Sequence, residues 1–147
     1  MRLDRSWIER NIPHHGRMCL LDEVSHWDAQ HIRCRSSTHR VPNNPLRSHG
    51  RLGVACGIEY AAQAMAVHGA LASESARSEV GFLAGLRDVC LHVARLDDIE
   101  SDLVCDATLI AGDRGSALYE FAVTSAGRLL LSGRATVVFD AKKRIIL

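Results

Sequence analysis

Residues 57 to 70 read G-I-E-Y-A-A-Q-A-M-A-V-H-G-A, a helix-length run in which alanine dominates every face. A helix that is apolar all round must be buried nearly all round. That requirement restricts the fold more than any other feature of the 147-residue sequence. Small side chains at Ala61, Ala62, Ala64, Ala66, Ala70 and Ala72 allow a sheet to approach the axis closely. Two polar residues interrupt the run. Glu59 and Gln63 are four apart and therefore share one face.

The flanking sequence supplies strands to cover such a helix. Residues 4 to 11 predict a short helix with Trp7 and Ile8 on its buried side, ended by Pro13. Met18 to Val24 is an apolar run closed by acids and reads as the beginning of a strand. From Gln30 the pattern alternates, with Ile32 and Cys34 inward and Arg33 and Arg35 outward, after a turn at Asp28-Ala29-Gln30. Residues 41 to 53 hold two of the three prolines and two glycines and read as a loop. The helix follows from about Val54 to Leu71, and polar S-E-S-A-R-S ends it.

Strands fill the rest. Val80 to Ala84 is short and apolar, and R-D-V-C-L-H-V-A-R continues it after a bend. Leu103, Cys105, Ala107 and Leu109 alternate, A-G-D-R-G makes a hairpin turn, and Ala117, Tyr119, Phe121 and Val123 alternate again. After S-A-G-R, the inward set of the last strand is Leu129, Leu131, Gly133, Ala135, Val137 and Phe139, with Lys142, Lys143 and Arg144 ending in solvent. Short connections between strands require antiparallel pairing. The expected fold class is α+β: one antiparallel sheet curled around a long central helix, as a single domain over residues 1 to 147.

The bulk chemistry excludes several functions. A net charge of +1 gives no global field for nucleic acid or a membrane surface. No apolar run has the length of a membrane span, and none at the N-terminus reads as a signal peptide. Five scattered cysteines without a C-x-x-C form neither a disulfide framework nor a zinc site, which suits small core residues in a reducing cytoplasm. Neither a G-x-G-x-x-G nor a G-K-[ST] phosphate loop occurs. Arg33, Arg35, Arg40, Arg47 and Arg51 read either as a solvated face or as a landing site for an acidic or phosphorylated partner.

Glu59 has two readings. A first-turn acid complements the helix dipole without any chemical task. A carboxyl wrapped by sheet among Ile58, Ala61, Ala62 and Met65 is instead desolvated, its pKa is expected to rise, and it becomes an acid at neutral pH. Gln63 is placed to hold that carboxyl by hydrogen bonding, or is a polar residue at a helix seam. His68, at the far end, reads as a satisfied core histidine.

I-E-Y-A-A-Q-A, residues 58 to 64, resembles the central-helix motif of β-hydroxyacyl-acyl-carrier-protein dehydratases, a glutamate with Ala-Gln shortly after it. I-P-H-H-G-R-M-C-L-L-D-E-V, residues 12 to 24, is similar to that family's N-terminal stretch, and G-F-L-A-G-L-R-D-V, residues 81 to 89, to its strand after the helix. The segments occur in the family's order over most of the chain. The resemblance is closest to a divergent branch that accompanies aryl-polyene or polyketide-like lipid synthesis. It implies the hot-dog fold and a dimer, either of identical chains or with a related hot-dog subunit. It also implies dehydration of 3-hydroxyacyl groups delivered by acyl carrier protein on phosphopantetheine, and the lack of nucleotide and metal motifs fits a reaction with no other cofactor and no metal.

In such a reaction a neutral imidazole removes a proton from C2 and a protonated carboxyl helps the C3 hydroxyl to leave. Amides at a helix start polarise the thioester carbonyl, and Gly57 is placed for that role. By resemblance Glu59 is the carboxyl, while the histidine comes from the loop before the helix and meets a partner subunit's carboxyl. Here the usual His-Phe-Pro-Gly-type loop is missing. If N-N-P-L aligns with the family's loop, His49 is the nearest candidate; His39 is the other, and plain spacing falls on Asn44 or Pro45. His14 and His15 match the N-terminal motif, with a packing or interface role expected. The loop departure leaves two other functions open, an acyl-CoA thioesterase using the helix carboxylate and a non-catalytic partner subunit that completes another dehydratase's site.

Overall fold

A computed structural model describes residues 2–72 and 81–139. S-E-S-A-R-S, Val80, Lys142, Lys143 and Arg144 lie outside the described residues. Helix α1 spans Arg5–Asn11. Asp4 caps it by accepting a hydrogen bond from Trp7 N–H at 3.1 Å, and Ile8 is fully buried beneath it. The next strands are β1, Glu23–Trp27, and β2, His31–Ser36. Asp28 sets the turn between them, its Oδ1 accepting from Gln30 N–H and His31 N–H, both at 2.8 Å.

A short 3₁₀ turn, Val54–Cys56, leads into helix α2, Gly57–Ala72. Strands β3 (Gly81–Leu91), β4 (Leu103–Gly112), β5 (Ser116–Ser125) and β6 (Arg128–Phe139) complete the fold. One six-stranded antiparallel sheet has the order β1-β2-β4-β5-β6-β3. Helix α2 packs on β2, β4 and β5. Sheet and helix together form the hot-dog arrangement that the resemblance implies.

Alanine spacing produces the close fit. Tyr60, Ala61, Ala64 and Val67 are fully buried against inward residues of the strands, among them Ile32, Cys34, Leu103, Cys105, Ala107 and Val123. Gly57 has a specific packing reason, because a Cβ there would lie 2.6 Å from Leu131 Cδ2. The opposite stripe of the helix, including Ile58, Glu59, Ala62 and Ala66, is only half-buried.

The strand phases differ from expectation in two places. The apolar run from Met18 is core but not strand before Glu23. Cys19, Leu20 and Leu21 are fully buried, yet the Leu20 backbone bonds to side chains, with Gln63 Oε1 accepting its N–H and Ser36 and Thr38 hydroxyls donating to its carbonyl. In β6, Leu129 is exposed and Leu130 buried, because the β5–β6 register shifts between Val123 and Thr124. The bend expected after Ala84 falls within one continuous strand, β3, whose register against β6 shifts between Leu83 and Gly85 and again between Arg87 and Cys90, with Asp88 at φ 53.

Candidate active site

Glu59 sits in the first turn of α2, where the buried side of the helix fixes its direction. Its side chain is 37% exposed, so the carboxyl is reachable while its stem is packed. His14 Nε2 lies 3.3 Å from Glu59 Oε1. One turn further along the helix, Gln63 Nε2 donates to the same Oε1 at 3.4 Å.

Gln63 is fully buried and spans two parts of the chain. Its Oε1 accepts from Leu20 N–H at 2.9 Å, and its Nε2 also donates to Met18 O at 2.7 Å. The amide therefore ties the N-terminal segment to the helix and points its NH₂ at Glu59.

The carboxyl's electrostatics reverse the expectation from burial. Its pKa lies below the ordinary glutamate value, chiefly because of the His14 hydrogen bond, with a smaller downward contribution from Gln63. Burial acts in the opposite direction and is outweighed. Thus the expected rise is corrected: a hydrogen-bonding partner on a distant segment governs this group.

The two loop histidines lie elsewhere in the chain. His39 is fully buried in a 3₁₀ turn, its Nε2 at 2.9 Å from Ile99 O, and burial pushes its pKa down. His49 stands exposed at a turn tip with φ 54, followed by Gly50 at φ 74, and its Nδ1 is 3.0 Å from Ser48 Oγ. Two successive left-handed residues between mutually bonded Ser48 and Arg51 make a tight hairpin turn. Asn44, where plain spacing falls, donates to Tyr60 OH at 3.0 Å and to Thr38 O at 2.9 Å, a structural clamp on the helix. The imidazole that meets Glu59 is that of His14. Sequence reasoning gave His14 a packing or interface role; the Pro-His of the N-terminal motif was its only signal, and no periodicity links it to the helix.

The family model for ApeP-like proteins, described as ApeP dehydratase, matches residues 6–145. The chain belongs to the ApeP-like dehydratase family. Among solved structures, the dehydratase heterocomplex ApeI:P from Xenorhabdus doucetiae is similar with a TM-score of 0.80 and 26% identity, over 95% of this chain and 94% of that one. A thioesterase from Haemophilus influenzae (TM-score 0.58, 18% identity, 80% of this chain and 77% of that one) shares the fold. So does a hypothetical thioesterase with coenzyme A from Streptococcus pneumoniae (TM-score 0.60, 14% identity, 80% and 84%). No curated protein matches the sequence.

Other residues of this family member are placed as follows. The Gly57 N–H turns back onto the Val54 and Ala55 carbonyls, so within the chain it is already engaged by the 3₁₀ turn. The arginine cluster divides in two. Arg33 pairs with Asp106 at 2.8 Å, while Arg35 and Arg40 share Asp102 at 2.7 Å each. Arg47 donates to the carbonyls of His39 and Gly50, and Arg51 is exposed; among the described residues neither pairs with a carboxylate. His68 has both ring nitrogens engaged, Nδ1 with Tyr119 OH at 2.7 Å and Nε2 with Asp28 O at 2.9 Å. Among the described residues no group of three His, Cys, Asp or Glu is arranged to hold a metal, and no helix is long and apolar enough to cross a membrane.

Proposed function

We propose that this chain supplies Glu59 as the carboxyl of a site that dehydrates 3-hydroxyacyl groups on acyl carrier protein to trans-2-enoyl thioesters, working beside a second hot-dog subunit. The observation that carries the reading is the Glu59 carboxyl itself: it is reachable, rooted in a packed helix, and has one oxygen held by His14 and Gln63. A base removes the C2 proton. In its protonated form, which the lowered pKa makes the minor one at neutral pH, Glu59 gives its proton to the C3 hydroxyl, the C3–O bond breaks, and water leaves as the C2–C3 double bond forms. Phosphopantetheine carries the acyl group, and Arg47 and Arg51, which meet no carboxylate among the described residues, suit an acidic carrier.

The base is a histidine supplied across an interface. Features of the chain support a second subunit. Strand β3 ends the sheet, and it exposes Leu83, Leu86 and Leu91, each more than 40% accessible. A long edge with exposed leucines invites pairing. Of the two candidates His39 and His49, exposed His49 suits a partner's carboxyl better, because His39 is enclosed and bonded to Ile99.

One observation favours a second reading. A carboxyl held below its ordinary pKa is ionised at neutral pH and suits activation of water against an acyl-CoA thioester. The decisive assay presents 3-hydroxyacyl carrier protein and acyl-CoA to the chain alone and to the chain mixed with a hot-dog dehydratase subunit from the same organism. Enoyl absorbance and free thiol are followed together. Enoyl formation that falls by about 100-fold or more in Glu59→Gln is expected. Unchanged activity in that variant refutes the assignment, thiol release without enoyl product selects hydrolysis, and activity only on mixing establishes dependence on the partner.

A further inference from the structure

Both donors that reach Glu59 converge on a single oxygen. His14 Nε2 and Gln63 Nε2 approach Oε1 at 3.3 and 3.4 Å. The Gln63 amide cannot turn over without cost, since Leu20 N–H needs its oxygen and Met18 O needs its NH₂. The His14 ring is held differently. Its Nδ1 is buried and has no hydrogen-bond partner among the described residues. An orphaned buried N–H is rarer than an under-satisfied acceptor, so the favoured tautomer leaves Nδ1 bare and puts the proton on Nε2, facing Glu59.

The segment that carries His14 is itself anchored. Arg5 of α1 donates to Gly16 O at 2.9 Å, and Glu9 of α1 accepts from Gly16 N–H at 3.3 Å. Arg5 also faces Glu9 at 3.5 Å and Asp22 at 3.6 Å, so its charge beside this turn is shared between two carboxylates. Against Glu59, the titratable group that acts is His14, and Gln63 is neutral.

The geometry points to His14 as a positioning residue: with Gln63 it pins Glu59 Oε1 and so assigns proton delivery to Glu59 Oε2. The inference rests on Glu59 being the reacting carboxyl. A proton on Oε1 would confront two donors, whereas on Oε2 it leaves both hydrogen bonds intact. The buried Nδ1 cannot touch substrate and Nε2 is turned to the carboxyl, so His14 acts through Glu59 and is not the C2 base.

The test has two independent readouts. Glu59 is titrated by carbon NMR of labelled glutamate without substrate, its signal identified by its loss in Glu59→Gln. His14→Ala is expected to move the Glu59 midpoint upward, and His14→Gln, which keeps a donor, to return it toward wild type. In the active complex His14→Ala lowers kcat by about 10- to 100-fold with KM little changed, as for loss of a group that orients a functional ligand. An unmoved Glu59 midpoint in His14→Ala overturns the inference, as does an undiminished kcat in both His14 variants. If wild type forms no enoyl product, the dehydratase reading fails while the titration still decides whether His14 holds the carboxyl.

Discussion

Replacing Gln63 by leucine nearly conserves volume while cutting the cross-link between helix α2 and the N-terminal segment. Two backbone groups lose their partners, Leu20 N–H and Met18 O. Leu20 is fully buried, so its orphaned N–H costs about 1–3 kcal/mol. Met18 is 41% exposed, and water can replace the lost donor at its carbonyl with little penalty. Each kcal/mol corresponds to about 2–4 °C in Tm for a domain of this size, so the expected fall is roughly 2–12 °C. Circular dichroism melting, at one fixed protein concentration because assembly shifts apparent stability, measures the loss. Amide hydrogen exchange adds a local readout: Leu20 N–H exchanges faster in Gln63→Leu and keeps its protection in Gln63→Glu, which retains the acceptor oxygen. Wild-type protection of Leu20 in the leucine variant, together with an unchanged Tm, refutes the reasoning.

Other expectations can be checked on the same protein. Gly57→Ala places a methyl 2.6 Å from Leu131 Cδ2 in a fully buried position, costing about 1–3 kcal/mol by overpacking, and Leu131→Val recovers part of it in urea unfolding. Asp97 gives a pH signature. The Arg95 guanidinium beside it holds its carboxyl well below the usual carboxylate range, helped by Leu52 N–H. A depressed folded-state pKa stabilises above the unfolded value of about 3.9 and is lost as pH falls through the folded one. Asp97→Asn therefore destabilises at neutral pH, and its difference from wild type shrinks as the pH drops below about 4; a gap constant with pH in urea midpoints contradicts this.

Local periodicity carried most of the architecture. The alternation of Ile32 and Cys34 with Arg33 and Arg35, and of Ala117, Tyr119, Phe121 and Val123 with their neighbours, matches the buried faces of β2 and β5. Phase was lost where one residue is inserted: no pattern in L-L-L distinguishes Leu129 from Leu130, since the shift originates in pairing with β5. In the segment before β1 side chains, rather than a neighbouring strand, satisfy the backbone, which an apolar run does not reveal. The candidate site was half legible. Glu59 and Gln63 share a helical face that spacing exposes, but the influence on Glu59 comes from His14 across the fold. Burial alone predicted the wrong direction for its pKa because tertiary hydrogen bonding outweighed desolvation.

The start of α2 is fastened by residues that follow it in the chain. Val54 N–H donates to Ala94 O, Leu96 N–H to Leu52 O, and Leu52 N–H to Asp97. His14, Glu59 and Gln63 thus all leave the ribosome before the groups that fix the helix on which two of them stand. A nascent chain of about 70 residues holds the whole constellation in sequence yet cannot set it in place, because these closures span long loops and form late. The geometry of the chemistry is consequently a product of complete synthesis, and premature termination before residue 97 leaves an apolar helix start without its moorings.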